Sequence, residues 1–66
     1  MRNRVRELRN AAGLRQEDLA ESVSVSRQTI ISIESGRYSP SLELAWRLSR
    51  TLGASIETLF QFEEES

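Results

Sequence analysis

Arg27, Gln28, Ile31 and Ser32 share the outward side of a helix-patterned segment that begins directly behind Ser26. An arginine fork matches O6 and N7 of guanine, a glutamine amide matches N6 and N7 of adenine, and an isoleucine packs on a thymine methyl; Ser32 is short and discriminates little. Each of these residues alone is an ordinary solvated side chain. Their common placement behind one serine cap makes the set suited to reading base edges. Around them stand groups that suit phosphate oxygens: Arg15 and Gln16 at the start of the preceding helical pattern, Ser26 and Thr29 at the cap, and Arg37, Tyr38 and Ser39 in the loop beyond. A single loop tyrosine such as Tyr38 fits packing over the domain edge equally well.

Other chemistry finds little support. The 66 residues contain neither histidine nor cysteine, so zinc and most transition metals lack their usual ligands, and no cofactor is implied. The serines have no imidazole base, and no carboxylate pair sits in an evident cleft, so an enzyme is not expected. The net charge of −1 hides a division. Residues 1–50 hold all nine basic residues, every one an arginine, against six acids, whereas the last sixteen hold four acids and no base. Arginine suits phosphate and base edges through its planar fork, although a coding bias of the source genome explains the absence of lysine equally well. No apolar run approaches membrane-spanning length and the start does not resemble a signal peptide, so a cytoplasmic protein without a membrane segment is expected.

The elements that must position these residues read as all-α. A chain this short has room for one modest core, so residues 1–66 are expected to form a single domain, marginal alone and helped by a partner subunit. The punctuation predicts a first helix from about Asn3 to Ala12, closed by Gly13, with Val5, Leu8, Ala11 and Ala12 on one side. A second follows from Gln16 to Val23, and a third from Arg27 to Ser35, capped by Ser26 and closed by Gly36. Pro40 is placed in the first turn of a fourth helix that ends near Gly53 and buries Leu42, Ala45, Leu48 and Leu52. Ser55 caps a short fifth helix carrying Ile56 and Leu59. Phe60-Gln61-Phe62 reads as a short strand or as core plugs, and residues 61–66 as an extended acidic tail.

Residues 16–35 carry the most demanding spacing, because two short helices joined by three residues must cross steeply. Leu19, Ala20, Val23, Val25, Ile30 and Ile33 are apolar where that crossing requires it, with Ala20 small at the closest approach. At these residues the chain resembles the Cro and lambda-repressor type of helix-turn-helix domain, the XRE type. Leu14-Arg15-Gln16-Glu17-Asp18-Leu19-Ala20, Val25-Ser26-Arg27-Gln28-Thr29-Ile30, Ile33-Glu34-Ser35-Gly36, Pro40-Ser41-Leu42 and Leu52-Gly53-Ala54-Ser55-Ile56 are similar to five blocks of that family. The resemblance implies a five-helix lambda-repressor-like DNA-binding domain that regulates transcription, usually as a homodimer on a palindromic operator. It implies that Gln16 contacts phosphate and braces Arg27, and that Arg9 and Glu34 form an ion pair tying the first helix to the third. Two positions depart from the pattern. Ser24 stands where glycine is usual and must accept a left-handed backbone at about 1 kcal/mol. Arg15 replaces the usual threonine or serine cap but sets a cation beside the expected DNA backbone.

The leading reading is therefore a sequence-specific regulator that binds double-stranded DNA with the helix at residues 27–35 in the major groove. The alternative is an antitoxin-like or adaptor protein that uses the same domain to hold a protein partner, through its acidic tail or the Trp46 region. Trp46 lies off the apolar stripe of the fourth helix, and the segment from Ile56 to Phe62 is rich in large apolar groups. A homodimer contact through Trp46, Ile56, Leu59, Phe60 and Phe62 is expected, with strand pairing across the two-fold as a variant.

Overall fold

The computed structural model describes residues 2–61. The chain runs β1 (Arg2–Asn3), α1 (Val5–Ala11), α2 (Gln16–Ser22), α3 (Arg27–Glu34), α4 (Leu42–Leu52), α5 (Ile56–Leu59) and β2 (Phe60–Gln61). The five expected helices are present around one core, and a two-stranded antiparallel ribbon joins the two ends of the described chain, with Arg2 opposite Gln61 and Asn3 opposite Phe60. That ribbon corrects the expectation of a first helix beginning near Asn3. The Asn3 backbone is committed to β1, its side-chain Oδ1 accepts the Val5 N–H at 3.1 Å, and the helix begins only there.

The helix ends follow from local chemistry. Ser26, Ser41 and Ser55 each accept the N–H of the third residue of α3, α4 and α5. The cap of α4 is therefore Ser41, and Pro40 stays outside the helix. At the other ends, α1, α2 and α3 close with the same paired bonds, in which the residue after the cap donates to the third residue before it and its successor donates to the fifth. For α3 these are Gly36 to Ile33 and Arg37 to Ser32; for α2 they are Ser24 to Glu21 and Val25 to Ala20. This motif needs a left-handed residue. Gly36 supplies it at φ +82°, and Ser24 supplies it at φ +62°, as its place in the turn predicts.

The core is built from Val5, Leu19, Ala20, Val23, Ile30, Ile33, Leu44, Ala45, Leu48, Leu59 and Phe60. All of these are apolar, and α2 packs most extensively on α3 with Ala20 buried at their junction. Two expectations fail here. Ala11 and Ala12 are exposed rather than inward. Leu42 is 78% exposed, and Leu44 takes its place in the core. At about 100° per residue, Leu44, Ala45, Leu48 and Leu52 span one face, while Leu42 and Trp46 lie together outside it. Trp46 is 54% exposed, with the Arg50 guanidinium 5.3 Å from its ring centroid. Phe62 and the acidic residues 63–65 lie outside the described residues.

Candidate nucleic-acid interface

The outward side of α3 is assembled from its cap upward. Ser26 Oγ accepts the Thr29 N–H at 3.2 Å and lies 3.0 Å from the Thr29 hydroxyl, which fixes the first turn. Ile30 and Ile33 point into the core, so Arg27 and Gln28 stand in solvent while Ile31 and Ser32 are half-buried. Neither Arg27 nor Gln28 has a side-chain hydrogen bond or ion pair among the described residues, and the same holds for Arg37. These long donors are available to an outside partner.

Two concavities flank this helix. One, of about 480 Å³, is lined by Arg9, Arg15, Gln16, Glu17 and Arg27. The other, of about 230 Å³, is lined by Ser26, Gln28, Thr29, Ser32 and Tyr38. The structure thus brings most of the predicted readers and anchors to adjoining surfaces around α3. Arg37 and Ser39 are exposed in the loop beyond and line neither concavity.

Behind the surface, one buried carboxylate holds three helices together. The Glu34 side chain is fully covered and accepts from Arg9 Nε at 2.6 Å, Arg9 NH2 at 3.4 Å, Gln16 Nε2 at 3.1 Å and Arg6 Nε at 3.5 Å. Arg9 is itself only 8% exposed and donates its remaining NH1 to the Leu14 carbonyl at 2.8 Å. Burial alone would raise the Glu34 carboxyl, but the hydrogen bonds from Arg9 and Gln16, the charge of Arg9 and the bond from Arg6 outweigh it. The group is held below its ordinary value. The Gln16 amide is therefore engaged by Glu34, although its stem lines the same concavity as Arg27.

Arg15 behaves differently from the free cations. Its guanidinium pairs with Glu17 at 2.9 Å and with Asp18 at 3.1 Å, while the Asp18 carboxylate also accepts the Arg15 backbone N–H at 2.9 Å. Asp18 thus supplies the one half of a capping box open to it, since an arginine side chain has no acceptor to offer in return. The bonds from the Arg15 side chain and backbone hold the half-buried Asp18 carboxyl low.

Three positioning residues escape a reading by sequence. Asn3 donates Nδ2 to the Ile33 carbonyl at 2.8 Å, Arg6 adds the third side chain on Glu34, and Arg47 donates to the Val23 carbonyl at 3.4 Å. Only the last carries a sequence signal, because Arg47 follows Glu43 at helical spacing and pairs with it at 3.3 Å. The expected subunit contact is also revised. Leu59 and Phe60 are 0% and 2% exposed within the single chain, where they plug the core, and Ile56 is half-buried; neither Leu59 nor Phe60 has surface left for a partner. Trp46 keeps most of its surface.

Two short helices packed on each other around a left-handed turn, with a capped, outward-facing second helix, define a helix-turn-helix DNA-binding domain. A family model described as helix-turn-helix matches residues 5–59, and the chain belongs to the XRE-type helix-turn-helix family of DNA-binding transcriptional regulators, which are not enzymes. An HTH-type transcriptional regulator of Methanothermobacter thermautotrophicus is 56% identical over 66 residues, covering 98% of this chain and 96% of that relative. One from Archaeoglobus fulgidus is 49% identical over 65 residues, covering 98% and 93%. Among solved structures, the restriction-modification controller protein C.AhdI from Aeromonas hydrophila superposes with a TM-score of 0.79 at 37% identity, covering 86% of each chain. Among the described residues, no helix is long and apolar enough to cross a membrane.

Proposed function

We propose that this regulator reads a palindromic operator as a homodimer in the cytoplasm, the whole chain acting as one domain, with α3 of each copy in the major groove of a half-site. Arg27 bonds guanine, Gln28 bonds adenine, Ile31 packs on a thymine methyl and Ser32 fits beside them. Gln16, Ser26, Thr29 and Tyr38 hold backbone phosphates from the two concavities, Arg37 and Ser39 hold them from the loop, and Arg15 joins by exchanging its carboxylate partners for a phosphate. The observation that carries this reading is the exposure of Arg27 and Gln28, without a side-chain hydrogen bond or ion pair among the described residues, on the first turn of a helix anchored from behind.

A second copy is proposed to meet the exposed side of α4, where Leu42 and Trp46 form an apolar ridge flanked on one side by Arg50 and the Glu43–Arg47 ion pair. An antiparallel approach of two such helices buries the ridge and sets each Glu43 toward the partner's basic end. The recognition helices would then be separated by about 34 Å, one turn of DNA. Selection of genomic fragments with the purified protein, followed by binding to the enriched site, tests the whole reading. A palindrome should be enriched. Arg27→Ala should lower specific affinity by about 1–3 kcal/mol and relax one position per half-site, whereas Arg37→Ala should weaken all sequences alike and flatten the salt dependence. Sedimentation equilibrium tests the dimer: Trp46→Glu should yield monomers, and a wild-type monomer at high micromolar concentration would overturn that part.

A further inference from the structure

Asn3 connects three elements with one amide. Its Oδ1 accepts the Val5 N–H and so starts α1, its backbone lies in the ribbon opposite Phe60, and its Nδ2 donates at 2.8 Å to the Ile33 carbonyl in the last turn of α3. The ribbon is itself stitched to the end of α5, since the Arg4 N–H donates to the Leu59 carbonyl at 2.8 Å. The carbonyls in the last turn of a helix have no partner inside it. Here the Ile33 carbonyl receives the Gly36 N–H as well as Asn3, so the side chain adds to an already closed helix end. Its contribution is therefore less to making α3 than to fixing where that end stands against the ribbon.

Resting on the reading of α3 as the base-reading helix, we infer that Asn3 is a positioning residue for sequence recognition. It clamps the C-terminal end of α3 to the ribbon formed by both ends of the described chain. Glu34 holds the same turn from α1 and α2, so α3 is held from two directions. Releasing one of them lets the helix tilt in the groove. Base-edge hydrogen bonds need alignment, whereas contacts to phosphates tolerate a small shift. Loss of the Asn3 bond must then fall on discrimination more than on overall DNA affinity.

Two variants separate the functions of the one side chain. Asn3→Asp keeps the acceptor for Val5 and the shape of the side chain but removes the donor to Ile33; Asn3→Ala removes both. Binding of the full chain to its selected operator and to a scrambled duplex is measured by fluorescence anisotropy, alongside thermal melting and amide spectra of the free protein. For Asn3→Asp, operator affinity should fall about three- to tenfold, the scale of one lost hydrogen bond, with scrambled-duplex affinity unchanged. Amide shifts should concentrate in residues 32–37, and Asn3→Ala should melt below Asn3→Asp. An unchanged ratio of operator to scrambled affinity, or an equal loss on both duplexes, would overturn the inference. A wild-type chain with no sequence preference would instead overturn the underlying reading, and amide shifts spread evenly over the chain would show that Asn3 serves only the fold.

Discussion

Removing the carboxylate of Glu34 should cost this domain a large share of its stability, and the size of the effect follows from what is left behind. In Glu34→Ala, the Arg9 guanidinium, only 8% exposed, loses contacts at 2.6 and 3.4 Å and keeps a single acceptor, the Leu14 carbonyl at 2.8 Å. Gln16 and Arg6 lose their acceptor as well. Stripping one partner from a buried pair costs about 3–5 kcal/mol, and the lower figure applies here because the edge of Arg9 still reaches water. A domain of this length has about 3–10 kcal/mol to lose. At about 4–8 °C per kcal/mol, the melting midpoint should fall by at least about 12 °C. A double-mutant cycle with Arg9→Leu and Glu34→Leu, followed by urea unfolding at pH 7, isolates the pair. The two losses should fail to add by about 2 kcal/mol, and the coupling should survive added salt because water is excluded. A coupling below about 0.5 kcal/mol, or one abolished by salt, would mean that the pair behaves as a surface ion pair and does not anchor α3.

The same carboxylate sets an acid limit. Because folding holds the Glu34 carboxyl below its ordinary value of 4.5, its contribution is present above that value and disappears as the pH falls through the lower folded value. Glu34→Gln should therefore flatten the acid side of the stability profile, as read from unfolding at a series of pH values. Ser24→Gly should raise the melting midpoint, since the left-handed backbone at φ +62° costs a serine about 1 kcal/mol; an unchanged midpoint would show that the strain is absent. Ala20→Leu should destabilise by about 1–3 kcal/mol by forcing α2 and α3 apart, and equilibrium unfolding would reveal whether the junction has room to spare.

What could be read from the sequence divides by the reach of the interaction. Serine caps at Ser26 and Ser55, the closing glycine at Gly36 and the left-handed Ser24 all follow from rules that act within a few residues, and each appears where those rules place it. The crossing of α2 on α3 was equally legible, because six apolar positions at fixed spacing admit few alternatives. The Arg9–Glu34 pair came from resemblance, and neither composition nor period could have shown that it is buried. The clamp that Asn3 places on α3 lay beyond any local rule. Its bond to Ile33 spans 30 residues, and the ribbon that presents it pairs the two ends of the described chain.

The misplacement of Leu42 shows how one residue of phase changes a functional surface. Leu42, Ala45, Leu48 and Leu52 recur at three- and four-residue steps and form an acceptable helical stripe on paper. Leu44, Ala45, Leu48 and Leu52 form another, differing in a single member. Periodicity cannot choose between them, because Ala45, Leu48 and Leu52 belong to both. The choice falls to packing: Leu44 meets the core, which leaves Leu42 in solvent together with Trp46. Burying Leu42 would have left Trp46 as an isolated exposed ring, unremarkable on a small domain. With Leu42 beside it, one turn away on the same side, the two make a ridge long enough for a second copy to cover. The proposed subunit contact, which loses Leu59 and Phe60 to the core, takes Leu42 in their place.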